Sequence, residues 1–241
     1  FTNINKSIVN AYYQTENGAI ISSPTYNEKI SQTPHGSAGK LVTKFIKTNK
    51  LYKDKKTELK ILTPWPGNMK KIINGNKEWK KYWDKQGNFR MFDLGTMYKG
   101  NLFVHGRSDD VINIRGHRIG SAEIESVILK SNYIKEVCAI DVDSELSGKE
   151  LIIFVVNNRK INTAKIIENL ILDNFGSFAL PKEVISLTEL PKTRSGKILR
   201  RILRDFYLDP DTNKIGDLST ILNKHVIKEI KKKLNKKNKK K

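Results

Sequence analysis

Apolar residues fall into two regimes along this chain. Over residues 1–106 they come in short runs, Val9–Tyr13, Lys40–Ile46 and Leu59–Leu62, each of which reads as a short strand. Turn signals separate them: Pro24, Pro34-His35-Gly36, Pro64-Trp65-Pro66-Gly67 and Asn74-Gly75-Asn76. No complete fold can be assembled from this stretch, which reads as the end of a larger domain. From Gly106 onward the pattern is regular. Ala122–Ser131 places Ile124, Val127 and Ile128 at helical spacing, with Ser121 as the expected N-cap and Glu123 and Glu125 in the first turn. Val137–Val142 and Leu151–Val156 are β-branched runs around the turn-like Ser144–Gly148, which predicts two strands. Ala164–Leu172 repeats Ile166, Ile167, Leu170 and Ile171 on one face, and Gly176 stands where a C-cap glycine belongs. Val184–Leu187 predicts a third strand and Ile198–Phe206 a closing helix. The sum is a compact α+β domain.

Composition changes the picture in two places. The 241 residues carry 45 Lys+Arg against 25 Asp+Glu, a net charge of +20. Eight of those lysines lie in Lys231–Lys241, a run without acid and nearly without apolar groups, which predicts a disordered tail. The remaining excess is scattered Lys and Asn on solvated positions. No basic surface interleaved with stacking aromatics and no nucleic-acid motif is present, so no specific nucleic-acid partner is expected. Cys138, the single cysteine, excludes a disulfide framework and a cysteine-built zinc site, and inside a predicted strand it reads as a small buried hydrophobe. The longest apolar runs are far shorter than the roughly 20 residues of a membrane span, so no membrane is expected. The chain starts at Phe1 without a methionine and reads as a piece of a longer protein.

Three local patterns carry candidate chemistry. Leu190–Lys197 (LPKTRSGK) is a loop with small residues and three cations ahead of a helix, a composition that suits phosphate or carboxylate; the plain alternative is a solvated basic turn. It is not a Walker A loop. Gly106–Gly120 (GRSDDVINIRGHRIG) punctuates a short strand with glycines among charges, as at a bend or a close ligand approach, or simply as a charged surface hairpin. Tyr12–Gly18 (YYQTENG) follows a strand with two aromatics and polar groups that could wall a pocket.

Taken together and in this order, the three resemble motifs of the adenylate-forming enzymes. Tyr13–Gly18 is similar to that family's aromatic-x-Thr-Glu motif, Phe89–Gly95 (FRMFDLG) to its Y-K-T-G-D-L-G motif, Gly106–Gly120 to its hinge motif and Pro191–Lys197 to its catalytic-lysine motif. Pro64–Gly67 followed by Asn76–Trp83, and Ile215–Ile221, narrow the resemblance to the acetyl-CoA synthetases. The implied architecture is residues 1–106 as the C-terminal part of a large AMP-binding domain, 107–222 as a small mobile α+β domain with a short sheet, and 223–241 as the basic tail.

The resemblance implies an AMP-forming acetate–CoA ligase. Carboxylate attacks the α-phosphate of ATP, and the CoA thiol then displaces AMP. Propionyl-CoA synthetase and a degenerate nucleotide-binding protein are the alternatives. By the same carry-over, Lys197 bridges carboxylate and α-phosphate, Asp93 accepts the ribose hydroxyls, and Arg107 and Arg118 meet ribose and phosphate. Asp109 is the hinge, Arg115 and Gly116 lie along the CoA path, and Asn10, Ala11, Tyr12, Tyr13, Gln14 and Thr15 wall the nucleotide and acyl pocket. Tyr13, where relatives carry tryptophan, points to a short acyl group. Mg²⁺ arrives with ATP, and backbone carbonyls of Leu129, Ser131 and Ile134 are implied to hold a magnesium ion. Acetylation and deacetylation enzymes acting on Lys197 are expected by the same likeness; a cytoplasmic location is expected, with the nucleus or an organelle as the alternatives. Departures are Met91-Phe92 ahead of Asp93 and Leu172-Asp173 where relatives place a CoA-contacting arginine. The phosphate-gripping loop is expected upstream of Phe1.

Overall fold

The computed structural model describes residues 8–24, 32–62, 65–144, 148–157, 162–212 and 221–238, with side chains through Asn235. Pro64, most of the 144–148 turn and residues 215–220 of the Ile215–Ile221 stretch lie outside the described residues. The chain divides into two compact units, Phe1–Asp109 and Asp110–Lys241.

In the first unit, β1 (Tyr12–Gln14), β2 (Ala19–Ser23) and β3 (Lys40–Leu41) form one antiparallel sheet. A second sheet holds β4 (Thr57–Ile61), β5 (Phe89–Tyr98) and β6 (Asn101–Arg107) in that order, and a short helix, α1 (Asn76–Lys81), precedes β5. The 40–46 run is strand only over Lys40–Leu41. The β5–β6 hairpin turns through Lys99 and Gly100, both left-handed at φ 48° and 76°, the geometry that matches the twist of paired strands. Ile21, Ile46, Leu59, Ile61, Phe89, Met91 and Leu102 form the core, with Trp65, Tyr82 and Trp83 against it.

The second unit opens with a hairpin of β7 (Val111–Ile114) and β8 (His117–Gly120), then α2 (Ser121–Ile128). Its main sheet runs β11 (Glu183–Ser186), β10 (Gly148–Asn157), β9 (Ile134–Ser144), with α3 (Thr163–Phe175) crossing over between the parallel pair β10 and β11. Helices α4 (Arg200–Leu208) and α5 (His225–Asn238) close the unit. Both faces of the sheet are covered. Cys138, Ile140, Ile152 and Phe154 face Ile202, Phe206, Val226 and Ile230 of α4 and α5, while Ala139, Leu151, Ile153 and Val155 face Ile124, Ile128, Ile167 and Ile171 of α2 and α3. Two-sided cover is why these strands read as unbroken apolar runs.

Two expectations are corrected here. The basic C-terminal stretch is helical to Asn238, and Val226, Ile230 and Leu234 are buried against the sheet at 0, 0 and 4 % exposure. Three apolar residues at i, i+4 and i+8 are enough for a docked stripe even when lysines dominate the other faces. Ser121 is not the N-cap of α2: Gly120 holds that position without a side-chain bond, and Ser121 is itself buried as the first helical residue.

Candidate active site

Each unit carries one group of the expected residues. In the first, β1 alternates, so Tyr12 and Gln14 turn to one side and Tyr13 to the other. Tyr12 donates to Asp93 Oδ2 at 2.5 Å and Gln14 Nε2 to the same oxygen at 2.5 Å, while Gln14 also donates to the Met91 carbonyl at 2.7 Å. The Tyr12 hydroxyl is pushed far above its ordinary range, by burial first and then by the Asp93 carboxylate, so it stays a neutral donor. Asp93 is 8 % exposed, and its other oxygen lies 3.9 Å from Arg107 Nη1. Arg107 forks onto Asp109 with two bonds of 2.9 Å. Tyr12, Gln14, Asp93, Arg107 and Asp109 therefore form one cluster. Tyr13 stays outside it, 65 % exposed, and Asn10 is tied to the Ser37 carbonyl at 3.2 Å. Thr15 begins a turn of 3-10 helix closed by Gly18, and Ala11 is half-buried.

A bulge in β5 produces this placement. Between the pairs Glu58–Leu94 and Lys60–Arg90, β4 has only Leu59 where β5 has Met91, Phe92 and Asp93. Phe92 takes up the bulge with φ 54°, a left-handed backbone that costs a bulky side chain about 1–2 kcal/mol. Of the apolar pair ahead of Asp93, only Phe92 stands at the site; Met91 is core, 1 % exposed. Three residues to which the sequence reading gave no role brace the bulge. Arg90 forks onto Glu58 at 2.7 and 2.8 Å, and Ser108 donates its hydroxyl to Glu58 at 2.7 Å and its N–H to the Phe92 carbonyl at 2.6 Å. Burial alone would raise the Glu58 pKa, but the Arg90 and Ser108 hydrogen bonds outweigh it and hold the carboxyl below its ordinary range. Nothing in the local pattern around Glu58 signals this role.

In the second unit Lys197 sits on a tight turn. Thr193 N–H donates to the Lys197 carbonyl at 2.9 Å, Gly196 N–H to the Thr193 carbonyl at 2.9 Å, and Lys197 N–H to Thr193 Oγ1 at 3.1 Å. Gly196 has φ 84°, which glycine adopts without strain. Lys197 is exposed, and its ammonium has no hydrogen-bond or ion-pair partner among the described residues. The neighbouring Lys192, by contrast, is tied to Glu136 at 2.5 Å. Behind the turn, Arg200 donates to Asp110, Glu125 and the Ala139 carbonyl at 3.0, 2.5 and 3.0 Å, and Arg204 donates to the Asp141 carbonyl at 3.0 Å. Glu125 accepts the Ala139 N–H at 2.8 Å. The outward amides of edge strand β9 are thus capped by side chains. Four residues of helix rise about 6 Å and two of strand about 6.8 Å, so Arg200 and Arg204 match Ala139 and Asp141 in step.

Arg115 and Gly116 form the two-residue turn between β7 and β8, left-handed at φ 49° and 84°, and the glycine has open space around it. Arg115 opens onto a cleft of about 410 Å³ lined also by Phe178, Leu180, Lys149 and Lys182. Lys149 pairs with Asp141 and Lys182 with Glu150, while Arg115 has no hydrogen-bond or ion-pair partner among the described residues. His117 stacks on Phe178 with ring centres 3.9 Å apart. Arg118, on the other face of β8, is exposed. The sequence reading found Arg115 but not Phe178, Lys149 or Lys182, which reach the cleft only through the tertiary fold. Leu172 lies on α3, 47 % exposed.

The carbonyls implied to hold magnesium, those of Leu129, Ser131 and Ile134, lie along the short turn from α2 into β9. The Ser131 carbonyl already accepts the Ile134 N–H at 3.1 Å. Among the described residues no group of three or more His, Cys, Asp or Glu side chains gathers to hold a metal, so a cation at this turn would depend on the backbone carbonyls and on water.

Comparison with known proteins identifies the family. Residues 123–197, which end on the exposed lysine, match the AMP-binding enzyme C-terminal domain. The chain belongs to the AMP-binding, adenylate-forming enzyme family. It is 31 % identical over 239 residues to an acetyl-coenzyme A synthetase of Rubrobacter xylanophilus, covering 93 % of this chain and 36 % of that protein. With the acetyl-coenzyme A synthetase of Coprinopsis cinerea the identity is 32 % over 250 residues, covering 95 % of this chain and 37 % of the relative. The chain thus spans little more than a third of the length of these relatives. ATP-bound MatB from Rhodopseudomonas palustris shares the fold at a TM-score of 0.72 and 21 % identity, over 88 % of this chain and 42 % of that one. The o-succinylbenzoate CoA synthetase of Bacillus subtilis does so at 0.65 and 23 %, over 87 % and 42 %. The fold of this chain is α+β.

Proposed function

We propose that this chain is the nucleotide- and thiol-handling part of an AMP-forming acyl-CoA ligase acting on acetate. The observation that carries the reading is the pair of sites. One is a buried carboxylate, Asp93, oriented by two donors and flanked by Arg107; the other is an exposed lysine, Lys197, on a tight turn and unpaired among the described residues. Asp93 suits two vicinal ribose hydroxyls, since a charged acceptor binds a diol more strongly than a neutral one. Lys197 suits the meeting of two anions. As a carboxylate oxygen attacks the α-phosphorus and the bond to pyrophosphate breaks, charge builds on phosphoryl oxygens that a mobile cation can follow. ATP brings its own Mg²⁺ as part of the substrate. In the second step the CoA sulfur attacks the acyl carbon, the thiol proton leaves to solvent or base, and AMP departs.

The Arg115–Gly116 turn and its cleft suit the phosphorylated end of CoA, with Arg115, unpaired among the described residues, as the cation and Phe178 as an apolar wall. Acetate is supported by the acetyl-coenzyme A synthetase relatives at 31 and 32 % identity; propionate differs by one methylene, a small discrimination for a hydrophobic pocket. Lys197 is also accessible to an acetylating enzyme, which would erase its charge. A nucleotide binder without ligase activity is the second reading, favoured by the exposed Leu172 where a CoA-contacting arginine is expected.

The test supplies acetyl-AMP and CoA to the chain and follows acetyl-CoA by chromatography. Product above the uncatalysed background, lost in Asp93→Ala, supports the ligase. Acetyl-AMP bound without product supports the second reading, and no binding of AMP or acetyl-AMP refutes both.

A further inference from the structure

Phe92 is an anomaly in the first unit. It is a large aromatic residue in a left-handed backbone, at the centre of a bulge where glycine would sit without strain. Its surroundings are highly organised. The Arg90 guanidinium lies 4.5 Å from the ring centre and the Arg107 guanidinium 5.7 Å, and Tyr82 meets the ring edge-on at 5.2 Å. Arg90 is fixed by its fork onto Glu58, so that flank of the ring is anchored. The Phe92 carbonyl receives the N–H of Ser108, whose hydroxyl is held by the same Glu58. Arg107 is 40 % exposed, long and flexible, and pairs with Asp109 and more distantly with Asp93. An arginine so exposed gains little from ion pairs alone, because water screens them. An aromatic face removes that freedom while leaving the N–H groups available.

We infer that Phe92 is a positioning residue: its ring, set by the left-handed bulge and braced by Arg90, fixes the Arg107 guanidinium between Asp93 and Asp109 and so prepares the nucleotide site. The inference rests on the proposed reading of Asp93 and Arg107 as nucleotide-binding groups. It also gives the bulge a use, since Phe92 organises residues 107–109 through its ring and its carbonyl together.

The experiment compares the wild-type chain with Phe92→Gly and Phe92→Tyr. Glycine accepts the backbone angle and removes the ring; tyrosine keeps it. Circular dichroism verifies that each variant is folded. Nitrogen-15 relaxation of the Arg107 Nε–H, assigned by its loss in Arg107→Lys, reports side-chain order, and calorimetry reports AMP affinity. In wild type and Phe92→Tyr the Arg107 Nε–H is expected to be ordered. In Phe92→Gly its order parameter falls below about 0.6 and AMP binds about tenfold more weakly. Unchanged Arg107 order in Phe92→Gly overturns the inference, as does lost order with unchanged AMP affinity. If wild type binds no AMP while Arg107 order still depends on the ring, the nucleotide reading fails and the positioning of Arg107 by Phe92 stands.

Discussion

Replacing Arg200 by methionine removes the cap from edge strand β9 and loosens the support of the Lys197 turn. Three hydrogen bonds go together, to Asp110, Glu125 and the carbonyl of the fully buried Ala139. Asp110, 35 % exposed, is rehydrated and contributes little. Glu125, 17 % exposed, keeps the Ala139 N–H but loses its counter-charge, and the Ala139 carbonyl loses its side-chain donor. Breaking a fully buried pair costs about 3–5 kcal/mol, and partial exposure here scales that to about 2–4 kcal/mol. With a urea slope of about 2 kcal/mol/M, the midpoint should fall by roughly 1–2 M. The assay is a urea titration followed by far-ultraviolet circular dichroism. Trp65, Trp79 and Trp83 all belong to the first unit, so tryptophan fluorescence on the same samples serves as the control. A circular dichroism midpoint that moves by less than about 0.3 M, or a fluorescence midpoint that moves equally far, refutes the reasoning.

Ile230→Ala, at a fully buried position of α5, should cost about 2–4 kcal/mol in the same titration, whereas an unfolded tail would show no change. Cys138 is fully buried and its thiol is pushed up to about 12, chiefly by burial, so a thiol reagent at pH 8 should label it only after denaturant is added; rapid labelling of the native chain contradicts its placement. The Glu58 carboxyl, held below its unfolded value, contributes stability above the unfolded pKa of about 4.3 that is lost as pH falls through the folded value. Glu58→Gln should therefore be less stable at pH 7 and lose less between pH 5 and pH 3 than wild type; equal losses in both would remove Glu58 from the acid response.

The second unit was far more legible in the sequence than the first. Strands β9 and β10 announce themselves because both faces are buried, and the stripes of α2 and α3 stand out because only one is. Nothing comparable marks β5: its residue types do not follow its burial, since Asp93 is buried while Phe92 and Leu94 are only half-buried, and its turn at Lys99 pairs a lysine with glycine in left-handed backbone. α5 was misread because eight lysines between Lys231 and Lys241 dominate the composition, although its docked stripe begins earlier, at Val226. Asp93, Arg107 and Lys197 were reachable by motif. The contact of Tyr12 with Asp93, 81 residues apart, and the bracing by Glu58 exist only after the sheets assemble.

The two principal sheets should also drift differently through evolution. Along β10 every residue from Leu151 to Val156 is buried, so a polar replacement at any of these six positions meets an apolar neighbour on one side or the other. In β5 the half-buried residues Arg90, Phe92 and Leu94 alternate with buried ones, and only the buried set is held by packing. A substitution library read out by folding alone should show an unbroken intolerant block in β10 and a comb in β5. The gaps of that comb that turn intolerant when the readout is changed from folding to nucleotide binding mark residues kept for chemistry.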